Sequence, residues 1–80
     1  MPYYVYMIKT IGSNYSKSYV GYTNDINRRV KKHNENKGAK STRGFKWKLI
    51  FQRKFLSKSA AMSYEYKLKK DKIKRKKIIN

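Results

Sequence analysis

Three patterns in this 80-residue sequence predict a small α+β fold, one three-stranded antiparallel sheet flanked by helices in the order β-β-α-β-α. Tyr3 to Lys9 is rich in aromatic and β-branched residues, with Tyr3, Val5 and Met7 on one alternating face and Tyr4, Tyr6 and Ile8 on the other. At about 100° per residue, Ile26, Arg29, Val30 and His33 fall on one arc of a helix. Ala61, Tyr64, Glu65 and Leu68 follow i, i+3, i+4, i+7 spacing and share a second helical stripe.

Because both faces of the first strand are apolar, it should be covered on both sides. Thr10 to Ser16, with Gly12, Ser13 and Asn14, is a turn cluster leading to a second strand at Lys17 to Tyr22, so the pair makes a hairpin. Thr23 or Asn24 caps the first helix, and Asp25 lies in its first turn, where its charge suits the helix dipole. That helix should run from about Asp25 to Asn36 and stop at Lys37-Gly38, leaving Ala39 to Gly44 as an exposed basic loop. From Phe45 to Phe55 the pattern is a half-buried third strand, with Phe45, Trp47, Leu49 and Phe51 on one face and Lys46, Lys48, Ile50 and Gln52 on the other. Ser57 or Ser59 caps the second helix, which sets Glu65 at a core edge. Residues 1–70 read as one domain and 71–80 as a basic tail or short helix.

Composition narrows the chemistry. A chain of this length builds one small core and encloses no deep pocket. Twenty-two Lys and Arg against four Asp and Glu give a net charge of +18, which calls for a polyanionic partner. Nucleic acid is favoured over a membrane, since no run is long enough to span a bilayer and the cations are not confined to one face of one helix. A ribosome-associated basic protein would satisfy the same charge. The absence of cysteine excludes disulfide frameworks and thiolate zinc sites. The start of the chain lacks a charged segment followed by an apolar signal core, so an intracellular protein, cytoplasmic or associated with nucleoid or nucleus, is expected. With Asp25, Glu35, Glu65 and Asp71 as its whole stock of carboxylates, the chain does not suit two-metal hydrolysis. There is also no G-x-S-x-G elbow, HExxH helix or P-loop. A phosphodiesterase built here must use one metal on one carboxylate, assisted by tyrosines and cations.

Several short segments then line up in order. Tyr4-Val5-Tyr6 and Tyr19-Val20-Gly21 stand on the paired strands, Arg29 follows Gly21 by eight residues, and His33 lies one helical turn later. His33-Asn34, Gly38-Ala39-Lys40, Thr42-Arg43-Gly44, Ala61 and Glu65 follow. In this order and spacing, from roughly Tyr3 to Lys70, the chain resembles the GIY-YIG nucleases, and among them the small single-domain branch similar to junction resolvases. The resemblance implies a metal-dependent DNA endonuclease of repair or recombination. Glu65 would hold one Mg²⁺ or Mn²⁺, and Arg29 would neutralise transition-state charge. Tyr6 and Tyr19 would position the attacking water, one of them taking its proton, and His33 would support that water or bind phosphate. Lys32, Lys40, Thr42 and Arg43 are expected to contact DNA phosphates. Two positions depart from the family pattern: Tyr4 stands where a glycine is usual, and the late asparagine of larger relatives has no equivalent except the terminal Asn80. No separate recognition domain is evident, so target choice would come from DNA shape or a protein partner. The alternative is a non-catalytic nucleic-acid-binding module on the same fold.

Phosphate neutralisation should dominate binding. DNA affinity measured by fluorescence anisotropy is expected to fall steeply from low to moderate salt, with a slope reflecting roughly 4 to 8 contacts. A salt-independent affinity would refute this.

Overall fold

The computed structural model describes residues 2–12 and 16–79; Ser13 and Asn14 of the expected turn, and Asn80, lie outside the described residues. Strand β1 (Tyr3–Ile11) runs between β2 (Ser18–Thr23) and β3 (Lys46–Phe55) in an antiparallel sheet of order β2-β1-β3. The central position explains why β1 is apolar on both sides: Val5, Tyr6, Met7 and Ile8 are all fully buried. On one face Tyr6 and Ile8 pack with Trp47 and with Ile26 of α1 (Ile26–Asn34). On the other, Val5, Met7 and Val20 pack with Ala61 and Leu68 of α2 (Lys58–Lys70). A further helix, α3 (Lys72–Ile79), lays Ile78 and Ile79 against this second cluster.

The third strand does not keep the alternation expected of it. A register shift between Met7 and Ile8 pairs Met7 with Phe51 but Ile8 with Leu49, so β3 carries one extra residue at Ile50. Every side chain beyond a one-residue insertion changes face. Trp47 and Leu49 stay with the α1 cluster, whereas Phe51 and Phe55 join Ile50 on the α2 side.

The helix ends also differ in detail. Asp25, not Thr23 or Asn24, is the N-cap of α1, its carboxylate accepting from Arg28 N at 3.1 Å. Thr23 Oγ1 accepts instead from Asp25 N at 3.1 Å, a side-chain turn one step ahead of the cap. At the other end Asn36 takes the left-handed conformation (φ 62°), with Lys37 N bonding Lys32 O at 2.8 Å. This closure ends the helix at Asn34, two residues before the expected Asn36, and relieves Gly38 of any capping duty. Ser57, of the two serines considered, caps α2, and Asp71 caps α3 through Lys74 N at 3.0 Å.

Because Ile78 and Ile79 of α3 pack against the core, deletion of this helix should cost stability as well as charge. Removing residues 72–79 is expected to lower the melting temperature by on the order of 10 °C. Replacing Lys72, Lys76 and Lys77 by Gln should leave it nearly unchanged while weakening DNA binding. Equal melting temperatures for the truncated and full chains would show that the packing of Ile78 and Ile79 contributes nothing.

Candidate active site

Tyr6 pairs across the sheet with Gly21, and its phenol crosses that position: a Cβ on Gly21 would lie 2.5 Å from Tyr6 Oη and 2.8 Å from Cζ. The glycine of the Tyr19-Val20-Gly21 segment is therefore clearance for a buried ring rather than a turn residue. At its far end the hydroxyl meets His33 Nε2 at 2.8 Å and receives Arg29 Nε at 3.3 Å. Both partners come from the buried arc of α1. On the other side of the imidazole, Nδ1 is 2.9 Å from Thr42 Oγ1, and Thr42 in turn donates to Ala39 O at 2.7 Å. The chain folds over the ring at Gly38, where any Cβ would overlap His33 Nδ1.

The direction of each bond follows from the chemistry of the ends. Ala39 O can only accept, so Thr42 gives it its one proton and must accept from His33; Nδ1 then carries the imidazole hydrogen. Nε2 is left with its lone pair and accepts from the Tyr6 hydroxyl, while Arg29, a donor only, gives to the same oxygen. Burial pushes the Tyr6 phenol up to about 12, although the hydrogen bond and charge of Arg29 pull the other way. Burial, reinforced by the Arg29 charge, brings His33 down to about 4. Arg29 is held still more firmly as a cation, chiefly by its bond to Tyr6. At neutral pH the relay is thus a neutral phenol, a neutral imidazole and a fixed guanidinium.

Thr42 sits at the end of a 3-10 turn, Lys40–Thr42, whose place is set by Trp47 Nε1 donating to Thr42 O at 2.9 Å. Asn34 clamps the same strand, accepting from Trp47 N at 2.6 Å and donating to Trp47 O at 3.2 Å. Thr42 was expected on an exposed loop facing phosphate. It is instead fully buried with its hydroxyl engaged on both sides, because the loop folds inward to close over His33. His33 is equally buried behind Tyr6 and Tyr19 and is not itself among the residues lining the cleft. Asn34, Trp47 and Gly38 are supporting residues to which the sequence assigned no role at the site, and Thr42 is one to which it assigned a phosphate contact instead; only the order His33-Asn34…Gly38…Thr42 hinted that they act together.

Tyr6, Tyr19, Gly21, Tyr22, Arg29 and Glu65 line one cleft of ≈ 300 Å³. Tyr19 stands with its ring centroid 5.1 Å from His33 and 6.4 Å from Tyr6. Glu65 enters from α2, on the opposite face of the sheet, and its side chain is only 16% exposed. Among the described residues it pairs with Lys69, 3.5 Å away and half exposed. Among the described residues no group of three or more His, Cys, Asp or Glu is placed to hold a metal. Lys32 lines an adjoining cleft of ≈ 270 Å³ together with Arg28 and Arg29, and Lys40 and Arg43 are exposed on the inward-folded loop.

A family model described as the GIY-YIG catalytic domain matches residues 2–78. A UPF0213 protein of Halalkalibacterium halodurans is 43% identical over 70 residues, 86% of this chain and 71% of that protein. The UPF0213 protein YazA of Bacillus subtilis is 51% identical over 53 residues, 65% of this chain and 54% of that one. The solution NMR structure of a UPF0213 protein from Bacillus halodurans superimposes with a TM-score of 0.54 at 38% identity, covering 99% of this chain and 83% of its own.

Two consequences of the relay can be measured. His33 stays neutral in the fold down to about pH 4, whereas in the unfolded chain it takes a proton near 6.5. The unfolded state therefore binds more protons between those values, and stability should fall on acidification by at most roughly 1.4 kcal/mol per pH unit. Thermal melts of wild type and His33→Gln from pH 7 to 4 should show that slope in the first and lose it in the second. Gly21→Ala forces the Tyr6 ring to move and should cost about 1–3 kcal/mol in chemical denaturation; an unchanged midpoint would mean the phenol does not cross Gly21.

Proposed function

The chain belongs to the GIY-YIG family of nuclease domains, and on that premise we propose that it is a divalent-metal-dependent DNA endonuclease. The observation that carries this reading is the Tyr6 hydroxyl, held between a donor-only arginine and an imidazole lone pair in the wall of the cleft that Glu65 also lines. The phenol oxygen keeps a lone pair for a water molecule. As that water attacks phosphorus, its proton passes to Tyr6 Oη while the phenol proton passes to His33 Nε2. No phenolate forms, as the raised pKa of Tyr6 requires. His33 becomes an imidazolium whose Nδ1 hydrogen is still donated to Thr42 Oγ1. The departing oxygen takes a proton from solvent as its bond to phosphorus breaks.

Arg29 fits the phosphate both as a charge and as a fork of donors, since Nε alone is bound to Tyr6. Burial is the larger cause of the low proton affinity of His33, but a phosphate beside Arg29 offsets the charge that adds to it, so substrate binding raises the proton affinity of the relay's last acceptor. Tyr19, its ring centroid 6.4 Å from that of Tyr6, lines the same cleft and would border the water beside it. Glu65 suits a hard dication such as Mg²⁺ or Mn²⁺, which takes one or two carboxylates and completes its shell with water and phosphate oxygens. A sheltered carboxylate whose ion pair with Lys69 is long and displaceable is compatible with that donor set. When bound, the ion supplies neutralisation at the scissile phosphate and leaving oxygen. Lys32, Lys40 and Arg43 hold the DNA backbone. The reading places the protein inside the cell, in DNA repair or recombination, with target choice set by DNA shape or a protein partner.

Cleavage of duplex, flap, junction and single-stranded DNA with Mg²⁺ or Mn²⁺ is the direct test. Arg29→Ala and Glu65→Gln should each lower the single-turnover rate on the order of 100-fold or more. Their melting temperatures should stay near wild type, because Glu65 loses one partly exposed i,i+4 pair and the Tyr6 hydroxyl keeps His33. Lys31→Ala, on the exposed side of α1, should change neither rate nor stability. If wild type cut no substrate with either ion, the non-catalytic binding module would replace this reading.

A further inference from the structure

A second concave surface lies away from the cleft, at the elbow where α2 passes into α3. It encloses ≈ 500 Å³ and is lined by Tyr66, Lys67, Lys70, Asp71, Lys72 and Ile73. Tyr66 is 59% exposed and Ile73 is 72% exposed, although both are large side chains with much apolar surface. The Lys70 ammonium lies 4.3 Å from the centroid of the Tyr66 ring. The one carboxylate of the lining, Asp71, is tied to the backbone as the cap of α3. From this geometry we infer that the elbow is a stacking site for an unpaired nucleobase, with Tyr66 as the platform and Lys67, Lys70 and Lys72 holding the phosphates on either side.

Three considerations select that occupant. Exposed aromatic surface between lysines is what single-stranded nucleic acid binds, because every base offers a π-face and every linkage a negative charge. A second copy of this chain would bring a further +18 against the same lysines, so self-association through this surface is electrostatically opposed. The position also matches the cleft. Counting about 100° per residue from buried Ala61, the residues Glu65, Lys69, Met62 and Tyr66 succeed one another around one flank of α2. The groove begins at Tyr66, one residue after Glu65, and runs past the end of α2 at Lys70 to Ile73 in the first turn of α3. A strand whose scissile phosphate lies at Arg29 and Glu65 therefore meets Tyr66 within a few nucleotides. The favoured substrates are then flaps, bulges and branches with an unpaired base near the cut, not continuous duplex. This extends the nuclease reading by naming its substrate class.

The test is made on binding alone, in EDTA, so that it stands whether or not the protein cuts. The probes are a single strand of about 15 thymidines carrying one 2-aminopurine and a duplex of the same length. Tyr66→Ala should weaken single-strand binding about ten-fold and duplex binding less than about two-fold, and should abolish 2-aminopurine quenching. Tyr66→Phe should retain both affinity and quenching. Because Tyr66 is exposed, the melting temperature of each variant should match wild type, which separates lost stacking from lost folding. Equal losses on both probes would reduce the elbow to a phosphate-binding patch and overturn the inference. Unchanged single-strand affinity would overturn it as well. So would a wild-type dimer in sedimentation that Tyr66→Ala dissociates, since the groove would then belong to a protein interface.

Discussion

The Tyr6 hydroxyl, buried and bonded to His33 at 2.8 Å, is the constraint on which the rest of this structure depends. A phenol placed in the core must find partners, and leaving it unmatched would cost on the order of 1–3 kcal/mol. Each nearby peculiarity serves that need. Gly21 is bare so that the ring can cross β2, His33 turns inward from α1 to accept, and Gly38 and Thr42 bring a loop over the imidazole to satisfy its other nitrogen. The hydrogen-bond direction is set at both ends by groups that cannot reverse, a guanidinium and a backbone carbonyl. Protein stability and the orientation of the cleft are consequently maintained by the same few bonds.

The position of the cleft is a consequence of sheet order. Arg29 belongs to α1 and Glu65 to α2, helices that pack on opposite faces, and two such side chains could not meet across the middle of a sheet. They meet here because β2 is an edge strand, around which both layers can reach. The edge also gives a polyanion access without any deep pocket, which a core of this size could not enclose. Cations surround the opening, and one sheltered carboxylate lies among them. A local negative charge in so positive a chain is the feature that most departs from simple electrostatic complementarity to DNA.

Much of the architecture was legible in the amino acids. The two apolar faces of β1, the arc of Ile26, Arg29, Val30 and His33, and the stripe from Ala61 to Leu68 each reflect a period that burial enforces, and each is found where the period put it. The bulge at Ile50 was not legible, since an alternating pattern reads equally well with or without an inserted residue until a partner strand sets the register. The helix ends moved for a similar reason. Thr23, Asn24 and Asp25 are all competent caps, as are Ser57 and Ser59, and the choice among them is made by where the helix must start in order to pack.

The sequence by itself determined the elements, their order, the strong positive charge and the positions at which polar residues would face inward, because these follow from composition and from periods of two and 3.6 residues. Only the tertiary structure decided what those residues do to one another. Thr42 and His33 are nine residues apart and read separately, one as a phosphate contact and the other as a residue that supports the water or binds phosphate; folded, they are consecutive members of one hydrogen-bonded chain. Glu65 and Arg29 acquire a common cleft only when β2 becomes an edge. Periodicity reports which side of an element is buried, but the distance between two side chains on different elements depends on register, sheet order and loop path, which long-range packing alone sets.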